Sequence, residues 1–147
     1  MMGLLAGILI SLLLAPVNPA QAQIRAQASI QGVVEARQNV LNHKLILIDI
    51  RRPEEWAETG IADIATEIDM RSPDFLQRIR RLQQANPEKA IGFICAVGSR
   101  SARLAHWFIR QGQTNIVDVN AGMVGRNGWL ANRLPIRAAP GTHPSRN

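Results

Sequence analysis

Tyrosine is absent from this chain of 147 residues, and three tryptophans and three phenylalanines are its only other large aromatic side chains. Its basic residues are scattered, apart from the cluster Arg78-Arg80-Arg81, which we interpret as the solvated face of a helix. A nucleic-acid-binding surface usually combines a basic stripe with aromatic side chains that stack on bases. The composition therefore argues against nucleic acid as a partner.

Cysteine is almost absent as well, because Cys95 is the only one in the chain. A single cysteine excludes an internal disulfide and leaves either a buried thiol or a reactive one. The three histidines, His43, His106 and His143, are far apart and share no metal-ligand spacing. We therefore expect neither a metal nor another cofactor.

No lysine or arginine precedes the first apolar run, residues 3–17, which is followed by Ala20-Gln21-Ala22. An apolar run ending in this pattern predicts a signal peptide over residues 1–22, cleaved after Ala22, and export to the periplasm or the medium. The missing basic segment leaves an uncleaved membrane anchor as the alternative, although the run is shorter than the roughly 20 residues of a spanning helix.

Residues 23–147 have the length of one domain, with a core over about 29–137 and a loose tail from Arg137 onward. Residues 1–22 contain no charged side chain, so the mature domain keeps 17 basic and 11 acidic residues, a net charge of +6. This excess favours a small anionic substrate or an acidic partner.

Apolar runs and helical repeats alternate along the domain. The predicted strands cover residues 45–50, 65–68, 90–94 and 115–119. We expect helices from a cap at Ser29 to about Leu41, from Pro53 with Glu54 and Glu55 at its positive end, from Ser72 to Asn86, and from Ser101 to Gln111. Strands that alternate with helices predict an α/β fold, with a mostly parallel sheet between two helical layers.

The strand of residues 90–94 leads directly into Cys95, and Gly98, Arg100 and the helix from Ser101 follow. At such a strand end, unpaired N–H groups of the loop and helix favour anions, including a thiolate. Arg100 adds a cation that can bind a sulfonate or phosphate group with two donors. The alternative is that Cys95 serves only as a small apolar side chain, but Gly98 and Arg100 favour a nucleophile.

The segment Cys95-Ala96-Val97-Gly98-Ser99-Arg100-Ser101 resembles the active-site loop of the rhodanese-like (sulfurtransferase) domains. Residues 45–51 with Pro53-Glu54-Glu55-Trp56 are similar to the family's opening strand and turn. Asn120-Ala121-Gly122-Met123 and Gly128-Trp129-Leu130 resemble its closing element. The resemblance covers about residues 29–137 and implies a rhodanese-like three-layer α/β sandwich.

The resemblance also implies a reaction, in which Cys95 takes the outer sulfur of a donor such as thiosulfate and becomes a persulfide. The sulfur then passes to a thiophilic acceptor, for which a protein is one candidate. Asp49 and Arg51 are expected to support the loop more than to touch the substrate. The expected substrate-binding residues form one loop: Ala96, Val97, Gly98, Ser99, Arg100 and Ser101.

Two alternatives stay open. Ala96 and Val97 give the loop one charge fewer than family members with a basic residue after the cysteine, which favours a sulfur carrier or partner-binding module with little turnover. A phosphatase or arsenate reductase is the second alternative. Similar phosphatases have five residues between cysteine and arginine where this chain has four, and the loop contains no carboxylic acid to protonate a leaving group.

Overall fold

The computed structural model of the protein describes residues 28–140, so the predicted signal peptide and the end of the tail lie outside the described residues. This part of the chain contains seven strands and four helices. The strands are β1 (Ser29–Gln31), β2 (Leu45–Asp49), β3 (Ile61–Ala62), β4 (Thr66–Glu67), β5 (Ala90–Ile94), β6 (Ile116–Val119) and β7 (Ile136–Arg137). The helices are α1 (Val33–Leu41), α2 (Pro53–Thr59), α3 (Phe75–Ala85) and α4 (Ser99–Arg110).

Five strands form one parallel sheet in the order β1-β6-β5-β2-β4. β5 is the central strand, and it pairs with β2 over its full length, from Leu45 opposite Ala90 to Asp49 opposite Ile94. The carboxyl ends of all five strands meet at one edge, where ligands bind in open α/β sheets. Cys95 follows β5 directly and therefore lies at the middle of that edge.

Alternating side chains of the sheet form two separate apolar clusters, one on each face. Leu45 and Leu47 of β2 pack in the cluster that contains Val33 of α1 and Trp56 of α2. Ile48 belongs to the opposite cluster, together with residues of α3 and α4. Strands covered on both faces are continuously apolar, which is why residues 45–49 carry no polar side chain before Asp49. The predicted three-layer α/β fold with a mostly parallel sheet is confirmed.

The predicted helix from Ser29 to Leu41 is wrong in its first turn. Residues Ser29–Gln31 form the edge strand β1, paired in parallel with β6, and the helix begins at Val33. Within this helix Val33 and Ala36 are buried, and Val34 is exposed. Residues 29–31 form a strand because they pair with β6, almost ninety residues away along the chain (Ser29 lies opposite Val117). A pattern of neighbouring residues, such as a helix cap, does not indicate so distant a pairing.

The tail also begins later than predicted. Arg137 belongs to β7, which pairs antiparallel with β3, and it donates a hydrogen bond of 2.9 Å to the carbonyl oxygen of Ala65. Its guanidinium also pairs with the carboxylate of Glu67. Ala139 is buried. The small β3–β7 ribbon therefore fastens residues 136–139 to the domain. No helix within residues 28–140 has the length and apolar character needed to cross a membrane.

Candidate active site

The side chain of Cys95 is fully buried beneath the loop that follows it. The backbone N–H of Gly98 donates a hydrogen bond of 3.2 Å to its sulfur. Gly98 can turn the loop over the sulfur because it has a φ of +94°, a left-handed conformation that costs glycine little. A Cβ atom there would also lie 3.1 Å from the backbone nitrogen of Ala121. Gly98 thus folds the backbone tightly around the sulfur.

A second segment supports the loop from behind. The backbone N–H groups of Met123 and Val124 donate hydrogen bonds of 2.8 Å each to the carbonyl oxygens of Cys95 and Ala96. Gly122, with a φ of +61°, brings this segment close enough for both bonds. A Cβ atom on Gly122 would lie 2.5 Å from the carbonyl oxygen of Ala96. This segment belongs to the closing element of the family resemblance, and the structure places it directly against the Cys95 backbone.

Ser101 lies in the first turn of α4, beneath the sulfur. Its hydroxyl accepts a hydrogen bond of 3.7 Å from the Cys95 thiol and donates one of 2.9 Å to the carbonyl oxygen of Gly98. Behind it is Asp118 of β6, a carboxyl group that is only 6% exposed. Burial raises the pKa of Asp118, and a hydrogen-bonding contact with Ser101 offsets part of that rise. The other carboxyl oxygen, Oδ1, has no hydrogen-bond partner among residues 28–140.

Arg100 does not extend freely into solvent. Its guanidinium makes a two-pronged ion pair with Glu55 of α2, with distances of 2.9 Å from Nη1 to Oε2 and 2.5 Å from Nη2 to Oε1. The hydrogen bonds from Arg100 lower the pKa of Glu55, although partial burial opposes the shift. The same bonds raise the pKa of Arg100, and the nearby Cys95 sulfur adds to that rise. Arg100 thus lies between the sulfur and a carboxylate.

Asp49 and Arg51 form a fully buried ion pair beside the loop, 2.7 Å from Nη2 to Oδ2. The remaining donors of Arg51 bind the carbonyl oxygens of Glu55 and Gly60 and the hydroxyl of Thr59. Every N–H group of the Arg51 guanidinium therefore has a hydrogen-bond acceptor within the protein. This placement agrees with the predicted supporting role, because the pair connects the end of β2 to both ends of α2.

An open cleft of about 440 Å³ lies next to the loop, lined by Arg52, Glu54, Glu55 and Arg100. In the loop itself, Val97 and Ser99 are exposed and Ala96 is half-buried. Of the predicted substrate-binding residues, those from Ala96 to Arg100 thus form a rim around the buried sulfur, whereas Ser101 is fully buried beneath it. Residues 28–140 contain no group of three His, Cys, Asp or Glu side chains arranged to hold a metal ion.

A family model for the rhodanese-like domain matches residues 32–129, more than half of the chain. The chain belongs to the rhodanese-like domain family. An uncharacterized protein of Rickettsia prowazekii is 28% identical over 105 residues, which cover 65% of this chain and 85% of that protein. The family resemblance drawn from three short segments of the sequence is therefore confirmed.

Solved structures show the same fold. The polysulfide-sulfur transferase homodimer of Wolinella succinogenes is 24% identical, with a TM-score of 0.59, and the match covers 86% of this chain and 91% of that one. A protein of Rhodopseudomonas palustris described as a possible tyrosine phosphatase is 20% identical, with a TM-score of 0.58, over 81% of this chain and 89% of that one. At these identities the likeness defines the architecture of this rhodanese-like domain and not its substrate.

Two residues of the site were not singled out from the sequence. Glu55 is part of a recognised motif, but its acidic side chain was interpreted only as suited to the positive end of α2. Asp118 is a carboxylate inside an otherwise apolar strand, and that interruption was the available signal. Both residues meet the loop only because distant elements pack together, α2 in one case and β6 in the other.

Proposed function

We propose that this rhodanese-like domain is an exported sulfurtransferase in which Cys95 carries a sulfane sulfur from a thiosulfate-like donor to a thiophilic acceptor. The observation that carries the proposal is the position of the Cys95 sulfur. It lies at the carboxyl end of the central strand, 3.2 Å from the Gly98 N–H and beside the first turn of α4. A backbone donor and the positive end of a helix both stabilise an anion at that point.

The reaction needs no oxidant, reductant or cofactor. The Cys95 thiolate attacks the outer sulfur of the donor, a new S–S bond forms, and the donor's own S–S bond breaks. Its electron pair leaves with sulfite, so a thiolate and a dianion become a persulfide anion and a dianion. A thiol or cyanide then attacks the outer sulfur of the persulfide, and the Cys95 thiolate returns.

The loop favours sulfur over phosphate. Four residues separate Cys95 from Arg100, and none of them is an acid that could protonate an alkoxide leaving group. Sulfite and thiolate leaving groups need no such acid. A phosphatase or arsenate reductase is therefore less compatible with this loop than a sulfurtransferase.

A sulfur carrier with little turnover is the second candidate, and the burial of Cys95 favours it. The thiol is 0% exposed, and Val97 in the loop above it is exposed. A small donor has to enter the loop before it meets the sulfur. A protein partner that opens the loop at Val97 would overcome this barrier for a carrier.

The mass of the purified protein after incubation with thiosulfate tests the proposal. We expect a gain of one sulfur atom on Cys95 that cyanide removes. Steady-state release of thiocyanate would identify a catalyst, and loading without turnover would identify a carrier. No gain of mass with any sulfane donor would refute both. N-terminal sequencing of the protein from its host tests the proposed cleavage after Ala22, which a retained Met1 would contradict.

A further inference from the structure

An ion pair at the rim of the site engages the cation that an anionic donor would use. Nη1 and Nη2 of Arg100 each donate one hydrogen bond to the carboxylate of Glu55, which occupies this edge of the guanidinium. A sulfonate group that approaches the loop therefore meets a guanidinium whose Nη1–Nη2 edge already binds a carboxylate, and it must share Arg100 with Glu55. The ion pair is about one quarter exposed on each side, so it stands at the surface that a donor must cross.

Glu55 is itself held in place. Its Oε2 atom accepts a hydrogen bond of 3.0 Å from the backbone N–H of Arg52, which fixes the side chain in the first turn of α2. Its backbone carbonyl accepts a bond of 3.3 Å from the buried Arg51. The bond from Arg52 thus holds the carboxylate and the bond from Arg51 holds the backbone of the same residue, so Glu55 has two attachments besides its pair with Arg100.

The formal charges of the four side chains that line the cleft cancel. Arg52 and Arg100 contribute two positive charges, and Glu54 and Glu55 contribute two negative ones. A dianion that enters this cleft gains no net attraction from its walls, and it must approach the Glu55 carboxylate in order to share Arg100. A monoanion suffers half of that repulsion, because the Coulomb energy is proportional to the charge of the donor.

We propose that Glu55 is a specificity-determining residue, which makes the site select sulfur donors with a single negative charge over doubly charged donors such as thiosulfate. The inference rests on the proposed function and narrows its substrate class to organic sulfane donors such as thiosulfonates. In a thiosulfonate, an organic group replaces one oxygen of thiosulfate. The sulfur step is the same, and a sulfinate monoanion leaves with the electron pair of the broken S–S bond in place of sulfite.

The test compares two donors that share the outer sulfur and differ by one charge: thiosulfate and the methanethiosulfonate anion. The second-order rate constant for loading Cys95 is measured by intact mass at constant ionic strength. For the wild-type protein we expect methanethiosulfonate to react at least about tenfold faster. Glu55→Gln, which keeps the shape and removes the charge, should raise the thiosulfate constant at least about tenfold and the methanethiosulfonate constant less than about threefold.

Glu54→Gln is the matched control. It removes the same charge from the same cleft one residue away, but Glu54 is exposed and makes no ion pair with Arg100. We expect it to change the ratio of the two constants by less than about threefold, since Glu54 makes no hydrogen bond to Arg100 and its exposed charge is screened more strongly than that of Glu55. An equal effect of both substitutions would overturn the assignment to Glu55. So would a Glu55→Gln variant that slows both donors, which would make Glu55 a positioning residue for Arg100.

A second measurement needs no substitution, in case Glu55→Gln does not fold. Sulfate and methanesulfonate are unreactive analogues that also differ by one charge, and each can protect wild-type Cys95 from iodoacetamide. Methanesulfonate should give half-protection at a concentration at least about threefold lower, and better protection by sulfate would overturn the proposal. If neither sulfur donor loads wild-type Cys95, the proposed function fails. If both load it with equal rate constants, only this inference fails.

Discussion

Replacing Gly122 by alanine should both destabilise the domain and disturb the loop that carries Cys95. The added Cβ would meet the carbonyl oxygen of Cys95 and lie 2.5 Å from that of Ala96. These are backbone atoms of the active loop, so no side-chain rotation can relieve the contact. The loop or the supporting segment has to move, and the hydrogen bonds from Met123 and Val124 to the loop lengthen as a result.

The magnitude follows from two contributions. Gly122 has a φ of +61°, and alanine in a left-handed conformation costs about 1–2 kcal/mol. Overpacking against fixed atoms adds about 1–3 kcal/mol. We therefore expect Gly122→Ala to lower the free energy of unfolding by about 2–5 kcal/mol, and to slow sulfur loading of Cys95, because the N–H of Gly98 no longer points at the sulfur.

Gly112→Ala separates the two contributions. Gly112 has a φ of +84°, but a Cβ atom there would have no atom within 4 Å. In this variant the free energy of unfolding should fall by only the conformational cost of about 1–2 kcal/mol. Its Cys95 should load sulfur at the wild-type rate. Urea unfolding gives the stabilities, and intact mass gives the loading rates. Equal losses of stability for the two variants, or normal loading by Gly122→Ala, would refute the argument from packing.

Three further predictions concern charged and reactive groups. Cys95→Ser should gain no mass with thiosulfate and unfold within about 1 kcal/mol of wild type, because the two side chains are similar in size; sulfur loading of the variant would end the covalent mechanism. Arg51→Met should lower the free energy of unfolding by about 3–5 kcal/mol, since it leaves Asp49 as an unpaired buried charge; a loss near zero in urea unfolding would contradict this. Burial raises the pKa of Asp118, so ionisation of this carboxyl group lowers the free energy of unfolding. This loss of stability is absent below the pKa of the unfolded state, increases between the unfolded and the folded pKa, and is complete above the folded pKa. Asp118→Asn should therefore stabilise the protein more at about pH 7 than at about pH 3, and an equal or reversed difference in urea unfolding would exclude that sign.

The α/β class, the family and the position of the candidate nucleophile could all be predicted from the sequence. These conclusions depend on short local patterns. β2 and β5 are apolar runs because both of their faces are covered, and the segment from Cys95 to Ser101 carries its glycine and arginine at recognisable spacing. Local composition is sufficient to predict a strand that is one continuous apolar run, or a loop whose motif is continuous in the sequence.

Tertiary structure decided which groups meet that nucleophile. Glu55 and Arg100 are 45 residues apart, and they pair only because α2 follows β2, the neighbour of β5 in the sheet. Asp118 lies behind Ser101 because β6 flanks β5 on the other side. The same dependence explains the error at Ser29, whose strand exists only through its pairing with β6. Side-chain charges and backbone hydrogen bonds act over a few ångströms in space, whatever the separation along the chain, and so the packing of the sheet decides whether the Arg100 guanidinium faces a donor or a carboxylate.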